Sequence, residues 1–545
     1  MDRKAWVPLA TNIPRHERLW KKSESGSEYG AFGADCDRVL YSSAFRRLSG
    51  VTQVVSASET GLFHNRLTHS YKVAQVGARI AHTVLGQMED DPKVRAAVEE
   101  HGGLNTKVVR AACYAHDLGH PPFGHVAEEE LNRMLWPGAE DTERPVDYQI
   151  DAEYRIPDGF EGNAQSFRIV TKLAFREKNA VALDLTRATL RAVLKYPWMR
   201  HEDLGDVDPL LKDKRQDKWG AYDSERALLE FARGEGHDRR EVRFHGRDAT
   251  EFRTIEAQIM DWADDITYAV HDIEDFFRSG FIPLDQLKND NAAFERFLAA
   301  MWDSIEPLVG TPTGAVDEHD ITFDNVAGWM ERLRKNHFPE APYAGRRRDR
   351  EGLHTFASEL IRTATERITV TADGLVVPGA RQFAIVEYLK KMTKYYVIQR
   401  PGISSAQRGQ RLLVRRLLNR LIQWAEDSRV VAKLEARLGG AASGTGGRGT
   451  SFDEAVSDSV LADLGEFPVR LVDYLVVAFD PDPRIGCLKY YDPERAQWTD
   501  YTAKQRLSRA IVDYIVSLTE SQAVALDARL SGLPAESMLE KWVSA

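Results

Sequence analysis

The segment from Val108 to Leu135 limits what the rest of the chain can become. Val108, Val109, Ala111, Ala112, Cys113 and Ala115 leave residues 108–117 little polar surface, so they read as a helix that other elements must surround. Gly119 and Pro121-Pro122 stop it, because glycine permits the exit conformation and proline cannot extend the hydrogen-bond ladder. A second helix starts near His125 and runs through Glu128 to Leu135. Across that junction, fourteen residues (115–128) carry three histidines and two carboxylates: His116, Asp117, His120, His125 and Glu128. His125 and Glu128, three apart, share a helix face. Buried imidazoles and carboxylates are costly unless paired or metal-bound. The pattern therefore points to a metal ion and an acid–base pair in one pocket, with a hydrogen-bonded polar knot as the plainer alternative.

A histidine beside an aspartate proves little alone. His237-Asp238, His271-Asp272 and His319-Asp320 repeat the pair, and most of these must be incidental. Two other stretches add to the first. Arg66 and His69, three apart, open a long apolar-faced helix through Val73, Val76, Ile80 and Val84. A wide-faced helix from about Thr254 to Phe277 sets Asp264, Tyr268 and Asp272 in one stripe at i, i+4 and i+8. A solvated acidic face is the usual reading of such a stripe. Here the other faces are largely apolar, and no Lys or Arg compensates between Gln258 and Phe276.

The remaining chain reads mainly as helix. Residues 1–35 look irregular, and Asp37–Leu48 looks like one amphipathic helix; Arg46 and Arg47 on it face either a pocket or solvent. Val51–Val55 is short and β-prone, residues 137–160 look like a polar surface excursion, and 200–250 like loops and solvated helices. Arg346-Arg347-Arg348-Asp349-Arg350 is a basic loop. Ile368–Val370 and Gly374–Pro378 make the one hairpin worth naming, and Ile511–Leu530 closes the chain as amphipathic helix. The expected class is all-α with a minor β-hairpin. The expected division is a catalytic helical domain at 1–438, a flexible glycine-rich loop at 439–450, and a C-terminal helical portion at 451–545 packing on the same domain.

Composition narrows the setting. At 545 residues, 43% hydrophobic and 29% charged, the chain has ample material for a core. No apolar run approaches the ~20 residues of a membrane span, and the N-terminus lacks the apolar run of a secretory signal. Three scattered cysteines point to a reducing, cytoplasmic setting rather than a disulfide framework. A net charge of −10 disfavours general nucleic-acid binding while allowing a local basic pocket.

With Arg66-Leu67-Thr68-His69-Ser70 and His116 to Glu128 in view, the chain resembles the HD-domain deoxynucleoside triphosphate triphosphohydrolases, the dGTPase family. Phe160-Glu161-Gly162-Asn163-Ala164-Gln165 and Ala263-Asp264-Asp265-Ile266-Thr267-Tyr268 follow in the family's order. Weaker similarity continues from Arg408-Gly409-Gln410 to Asp513-Tyr514-Ile515, so nearly the whole chain is covered. The resemblance implies an HD-type helical fold with His69, His116, Asp117 and Asp264 on a metal. Asp264 is preferred to Asp265 because the family's metal aspartate precedes its tyrosine by four. It implies His125 and Glu128 as the catalytic pair with His120 nearby, Gln53 and Asp272 on the sugar 3′-hydroxyl, and Arg66 and Tyr268 on phosphates or base. The implied reaction converts a dNTP, dGTP or a broader set, to deoxynucleoside and tripolyphosphate. The implied partners are further copies of the chain, as hexamer or tetramer, and a nucleotide or single-stranded nucleic-acid effector. The 137–160, 200–250 and glycine-rich departures bear on assembly and effector control, not on the chemistry.

The residue types agree with that chemistry. Two imidazoles and two carboxylates form a mixed site that suits Mn²⁺, Fe²⁺, Co²⁺ or Zn²⁺ better than Mg²⁺. Two other classes stay open: another HD phosphohydrolase, such as a phosphodiesterase or 5′-nucleotidase, and a non-enzymatic nucleotide sensor or single-strand binder. The latter predicts a damaged acid–base pair, whereas His125 and Glu128 are both present.

Overall fold

The computed structural model describes residues 14–20, 28–52, 63–139, 150–175, 182–202, 217–234, 240–305 apart from 245, 246 and 252, 321–398, 401–434, 464, 467–480, 485–486, 489–492, 495 and 497–533. Gln53, His237-Asp238, His319-Asp320 and the glycine-rich stretch 439–450 lie outside them.

Seven helices build the region around the junction: α1 (Glu28–Leu40), α2 (Arg66–Asp90), α3 (Thr106–Ala115), α4 (His125–Leu135), α5 (Gly162–Arg168), α6 (Arg187–Val193) and α7 (Ile255–Arg278). Helix α3 is the hub, packed against α1, α2, α6 and α7, with every residue from Val108 to Ala115 except Arg110 buried. Its closeness to α2 depends on Gly77, where a Cβ would lie 2.9 Å from Cys113 Sγ and 3.0 Å from Val109 Cγ1. Side-chain caps set the starts. Asn65 Oδ1 accepts from Thr68 N at 2.9 Å on α2, and Thr254 Oγ1 accepts from Ala257 N at 3.1 Å on α7. The caps fix which residues of α2 and α7 reach the end of α3.

A second set covers this core: α8 (Ala380–Thr393) packs on α7; α9 (Pro401–Asp427) packs on α4, α11 (Ala503–Ser517) and α12 (Glu520–Leu530); α10 (Val469–Phe479) packs on α11. The hairpin expected near 368–378 is present, with β3 (Ile368–Val370) antiparallel to β4 (Val376–Pro378). Two more ribbons join it, β1 (Arg240–Phe244) with β2 (Arg247–Glu251), and β5 (Lys489–Asp492) with β6 (Gln497–Asp500). The class is all-α with minor β. Among the described residues no helix is long and apolar enough to cross a membrane.

Several local expectations change for identifiable reasons. Helix α1 begins at Glu28, inside the segment expected to be irregular. The expected helix over 37–48 breaks after Leu40, because Ser42 accepts from Phe45 N at 3.1 Å and caps a separate short helix, Ser43–Arg47. Residues 150–160 are not a surface excursion. Ile150, Tyr154, Ile156 and Phe160 are buried, and buried Asp158 takes Arg509 Nη2 at 2.7 Å. Nor are residues 217–234 solvated: Trp219 and Tyr222 are buried, with Arg509 stacked 3.7 Å over the Tyr222 ring. Both segments look polar because their partners lie far off in the chain, from Asp158 with Asp223, 65 residues apart, to Asp158 with Arg509, 351 apart. The expected 511–530 helix is two, parted at Thr519, whose hydroxyl and Gln522 form a capping box.

Candidate active site

Helix α3 ends at Ala115 and delivers His116 and Asp117 onto a turn that meets the first turn of α2 and the middle of α7. His69 Nε2 lies 2.9 Å from Asp264 Oδ1. His116 Nε2 lies 3.5 Å from Asp264 Oδ1 and 3.5 Å from Asp117 Oδ1. The other oxygen of each carboxylate meets a cation: Arg66 Nη1 donates to Asp117 Oδ2 at 2.7 Å, and Lys195 Nζ to Asp264 Oδ2 at 3.1 Å. Arg66 and His116 hold the Asp117 carboxyl well below its ordinary range against the opposing effect of burial. Lys195 and His116 do the same for Asp264.

His116 shows that these residues fit a metal. Its Nδ1 donates to the Cys113 carbonyl at 2.7 Å, which leaves Nε2 as the acceptor nitrogen. That Nε2 is buried without a hydrogen-bond partner among the described residues, facing two carboxylate oxygens. Burial pulls the imidazole pKa down, but Asp117 and Asp264 overcome it and push it up to about 9. A group so placed demands positive charge among the oxygens, and a divalent cation supplies it with better geometry than a proton. His69, His116 and Asp117 bring ligand atoms within 4.8 Å of one another, and Asp264 borders the same space.

The turn that carries this cluster is clamped from three directions. A Cβ on Gly119 would sit 2.1 Å from the Gly162 carbonyl oxygen of α5, so only glycine fits. Ser166 Oγ donates to His116 O and accepts from Gly119 N, both at 2.8 Å. Buried Arg47 donates to Leu118 O at 2.7 Å and His120 O at 2.9 Å, while Arg46 beside it is exposed. Glu520, at the start of α12, accepts from Phe123 N at 3.3 Å, where Phe123 (φ 70°) and Gly124 (φ 57°) reverse the chain into α4.

Beyond the reversal, His125 Nδ1 lies 2.8 Å from Glu128 Oε2. The His125 side chain is 63% exposed, so its other nitrogen is open to a ligand, while Glu128 is buried. Lys218 Nζ reaches Glu128 Oε1 at 2.6 Å and Glu161 Oε1 at 3.1 Å. The hydrogen bond from His125 and the charge of Lys218 keep Glu128 well below the usual carboxylate range despite burial. His120 joins the two groups, with Nδ1 3.0 Å from Asp117 Oδ1 and Nε2 3.8 Å from Glu128 Oε2. Burial and Arg66 lower its pKa to about 4, so it is neutral near pH 7.

Farther along α7, Asp272 is buried, and burial together with Asp275 pushes its carboxyl well up. Asp272 and burial in turn raise the Tyr268 hydroxyl. The stripe of Asp264, Tyr268 and Asp272 is therefore not a solvated face. The missing cations come from other elements: Lys195 and Arg253 on Asp261, and Lys390 on Asp265.

The HD domain family model matches residues 66–188. A deoxyguanosinetriphosphate triphosphohydrolase-like protein of Streptomyces coelicolor is 33% identical over 426 residues, covering 73% of this chain and 82% of that protein. The chain belongs to the deoxyguanosinetriphosphate triphosphohydrolase-like family. Proteins of the same description from Bifidobacterium longum and Corynebacterium glutamicum are each 30% identical, covering 68% and 73% of this chain and 67% and 81% of their own lengths.

In this member of the triphosphohydrolase-like family the structure brings His69, His116, Asp117, Asp264, His120, His125 and Glu128 around one locus. Arg66, expected at phosphates or base, is buried behind Asp117. Gln53 lies outside the described residues. Sequence reasoning missed Lys195 and Lys218, and it left Arg47 open between a pocket and solvent. The signal for the lysines was their neighbours, since Leu194, Tyr196-Pro197 and Trp219 are apolar company that a charge tolerates only with a partner. It also passed over His271 as incidental. Its buried ring stacks on His64 at 3.8 Å and meets His69 edge-on at 5.8 Å, with Asp275 2.8 Å from His64 Nδ1.

Proposed function

We propose that the chain is a metal-dependent triphosphohydrolase that converts deoxynucleoside triphosphates, dGTP or a broader set, to deoxynucleoside and tripolyphosphate. The observation that carries this reading is the adjacency of the His69–His116–Asp117–Asp264 cluster and the His125–Glu128 pair, joined through His120, with two lysines on the carboxylates. A divalent ion held by that cluster (Mn²⁺, Fe²⁺, Co²⁺ or Mg²⁺) supplies Lewis acidity at the α-phosphate and a more acidic water.

The remaining work falls to side chains. Lys195 and Lys218, partly exposed beside Asp264 and Glu128, offer the positive charge a triphosphate needs. Arg66 steadies Asp117, and contact of Arg66 and Tyr268 with the phosphates or base belongs to the same reading. His125, held through Nδ1 by Glu128, gives a proton from Nε2 to the departing 5′-oxygen, with His120 alongside, a contribution of about 10²–10⁴-fold. Asp272, whose carboxyl burial and Asp275 push up, meets the sugar 3′-hydroxyl, with Gln53 as the second contact.

A cytoplasmic homohexamer or homotetramer with a nucleotide or single-stranded nucleic-acid effector belongs to the same reading. So does a catalytic portion over 1–438 with 451–545 packed on it, which the Arg168–Asp513 and Arg509–Asp158 ion pairs support. The test is a metal-supplemented screen of the four dNTPs and four rNTPs with chromatography of products. Deoxynucleoside plus tripolyphosphate is expected; cleavage of phosphodiesters or monophosphates alone would reject the reading.

A further inference from the structure

We propose that His120, His125 and Glu128 form a second divalent-cation site, separate from the His69–His116–Asp117–Asp264 cluster, and that Zn²⁺ filling it silences the proton donor. The three residues place ligand atoms within 4.8 Å of one another. His125 Nδ1 is 2.8 Å and His120 Nε2 is 3.8 Å from Glu128 Oε2. Ligands about 2.0–2.1 Å from a tetrahedral zinc stand roughly 3.3 Å apart, between those two spacings. Two imidazoles and a carboxylate with an open fourth position suit zinc, and they favour it over Mg²⁺.

The surroundings complete the site. His120 and Glu128 are both more than nine-tenths buried, so two ligands are held in place before any ion arrives. Asp117 Oδ1 lies 3.0 Å from His120 Nδ1, beside the ring nitrogen that ligation through Nε2 leaves free. The same carboxylate borders the first cluster, so the two sites share Asp117 at one remove. His125 is the exposed ligand, which leaves the site open to solvent and its ion exchangeable. Lys218 sits on the opposite oxygen, Glu128 Oε1, and weakens the ion without occupying its place.

Binding replaces the proton between His125 Nδ1 and Glu128 Oε2, and that proton is released to solvent. The imidazole is left with one N–H and is no longer the imidazolium that protonates a leaving oxygen. This effect on turnover rests on the triphosphohydrolase reading; the ion stoichiometry does not.

The experiment is equilibrium dialysis of the full chain against Zn²⁺, without nucleotide, followed by elemental analysis. Wild type should hold two ions, while Glu128→Gln and His125→Asn should each hold one. The latter changes an exposed side chain, so loss of fold cannot explain its result. Lys218→Met should bind the second ion several-fold more tightly. Asp264→Ala reports on the first cluster alone, which separates failure of that site from failure of this one. In wild type, excess Zn²⁺ should inhibit over the same range in which the second ion binds. Saturation of wild type at a single ion that Asp264→Ala removes, or a second ion retained in both Glu128→Gln and His125→Asn, would overturn the proposal.

Discussion

His116 works through the nitrogen it leaves free. The Cys113 carbonyl takes Nδ1, so the lone pair on Nε2 must face Asp117 and Asp264, and the cluster is short of a cation. His69→Ala and Asp264→Ala should therefore each lose the bound metal and all activity while remaining folded. Asp265→Asn should keep both, because Asp265 is turned to Lys390 instead. Metal analysis of the three purified variants decides, and full metal content in the first two would remove them as ligands. His125→Ala should retain the ion of the His69–His116–Asp117–Asp264 cluster and lose roughly 10²–10⁴-fold in kcat, with KM little changed; near-normal turnover would exclude His125 as the acid. The histidines and aspartates were legible because imidazoles and carboxylates stand out in apolar helices. The lysines were not, because lysine is normally solvent-exposed, and only their contacts with Asp264 and Glu128 reveal a role.

At the scale of elements, α3, α4 and α7 could be read because continuous apolar faces mark helices that must be buried. The turn between α3 and α4 was visible as a break, from Gly119 and the two prolines, but not as a braced structure. Its supports, Arg47, Ser166 and Glu520, lie in α-helical segments far away in sequence, and periodicity carries no information about such pairings. Gly119→Ala tests the bracing. A methyl group placed 2.1 Å from the Gly162 carbonyl must push α5 from the turn. We expect a loss of about 1–3 kcal/mol or more in denaturant unfolding, together with reduced metal content because Ser166 no longer holds the His116 carbonyl. Wild-type stability and metal in this variant would show that α5 does not position the cluster.

At the scale of the molecule, the late helices are tied to the early ones by buried charge. Arg168 of α5 meets Asp513 of α11 at 2.7 Å and Glu225 at 2.7 Å, and Lys172 meets Glu225 at 3.0 Å. No reading of local sequence pairs residues so far apart, which is why 217–234 looked solvated. Lys172 and Arg168 overcome burial and hold the Glu225 carboxyl at about 2, against an ordinary value of 4.5. A depressed pKa contributes stability that is present above the unfolded value and lost as pH falls through the folded one. Glu225→Gln should therefore cost on the order of 3 kcal/mol at pH 7. The gap to wild type should close between about pH 4.5 and pH 2; a gap independent of pH would mean that the charge is not what holds the network.

The central claim concerns which bond breaks. On the proposed reading, the cluster of His69, His116, Asp117 and Asp264 directs attack to the α-phosphorus, and His125 serves the departure of a poor alkoxide leaving group, the 5′-oxygen. Hydrolysis in ¹⁸O-labelled water, with both products analysed by mass spectrometry, reads this directly. Attack at the α-phosphorus puts ¹⁸O in the tripolyphosphate and none in the deoxynucleoside. Label in the deoxynucleoside, or release of nucleoside monophosphate and pyrophosphate, would contradict it.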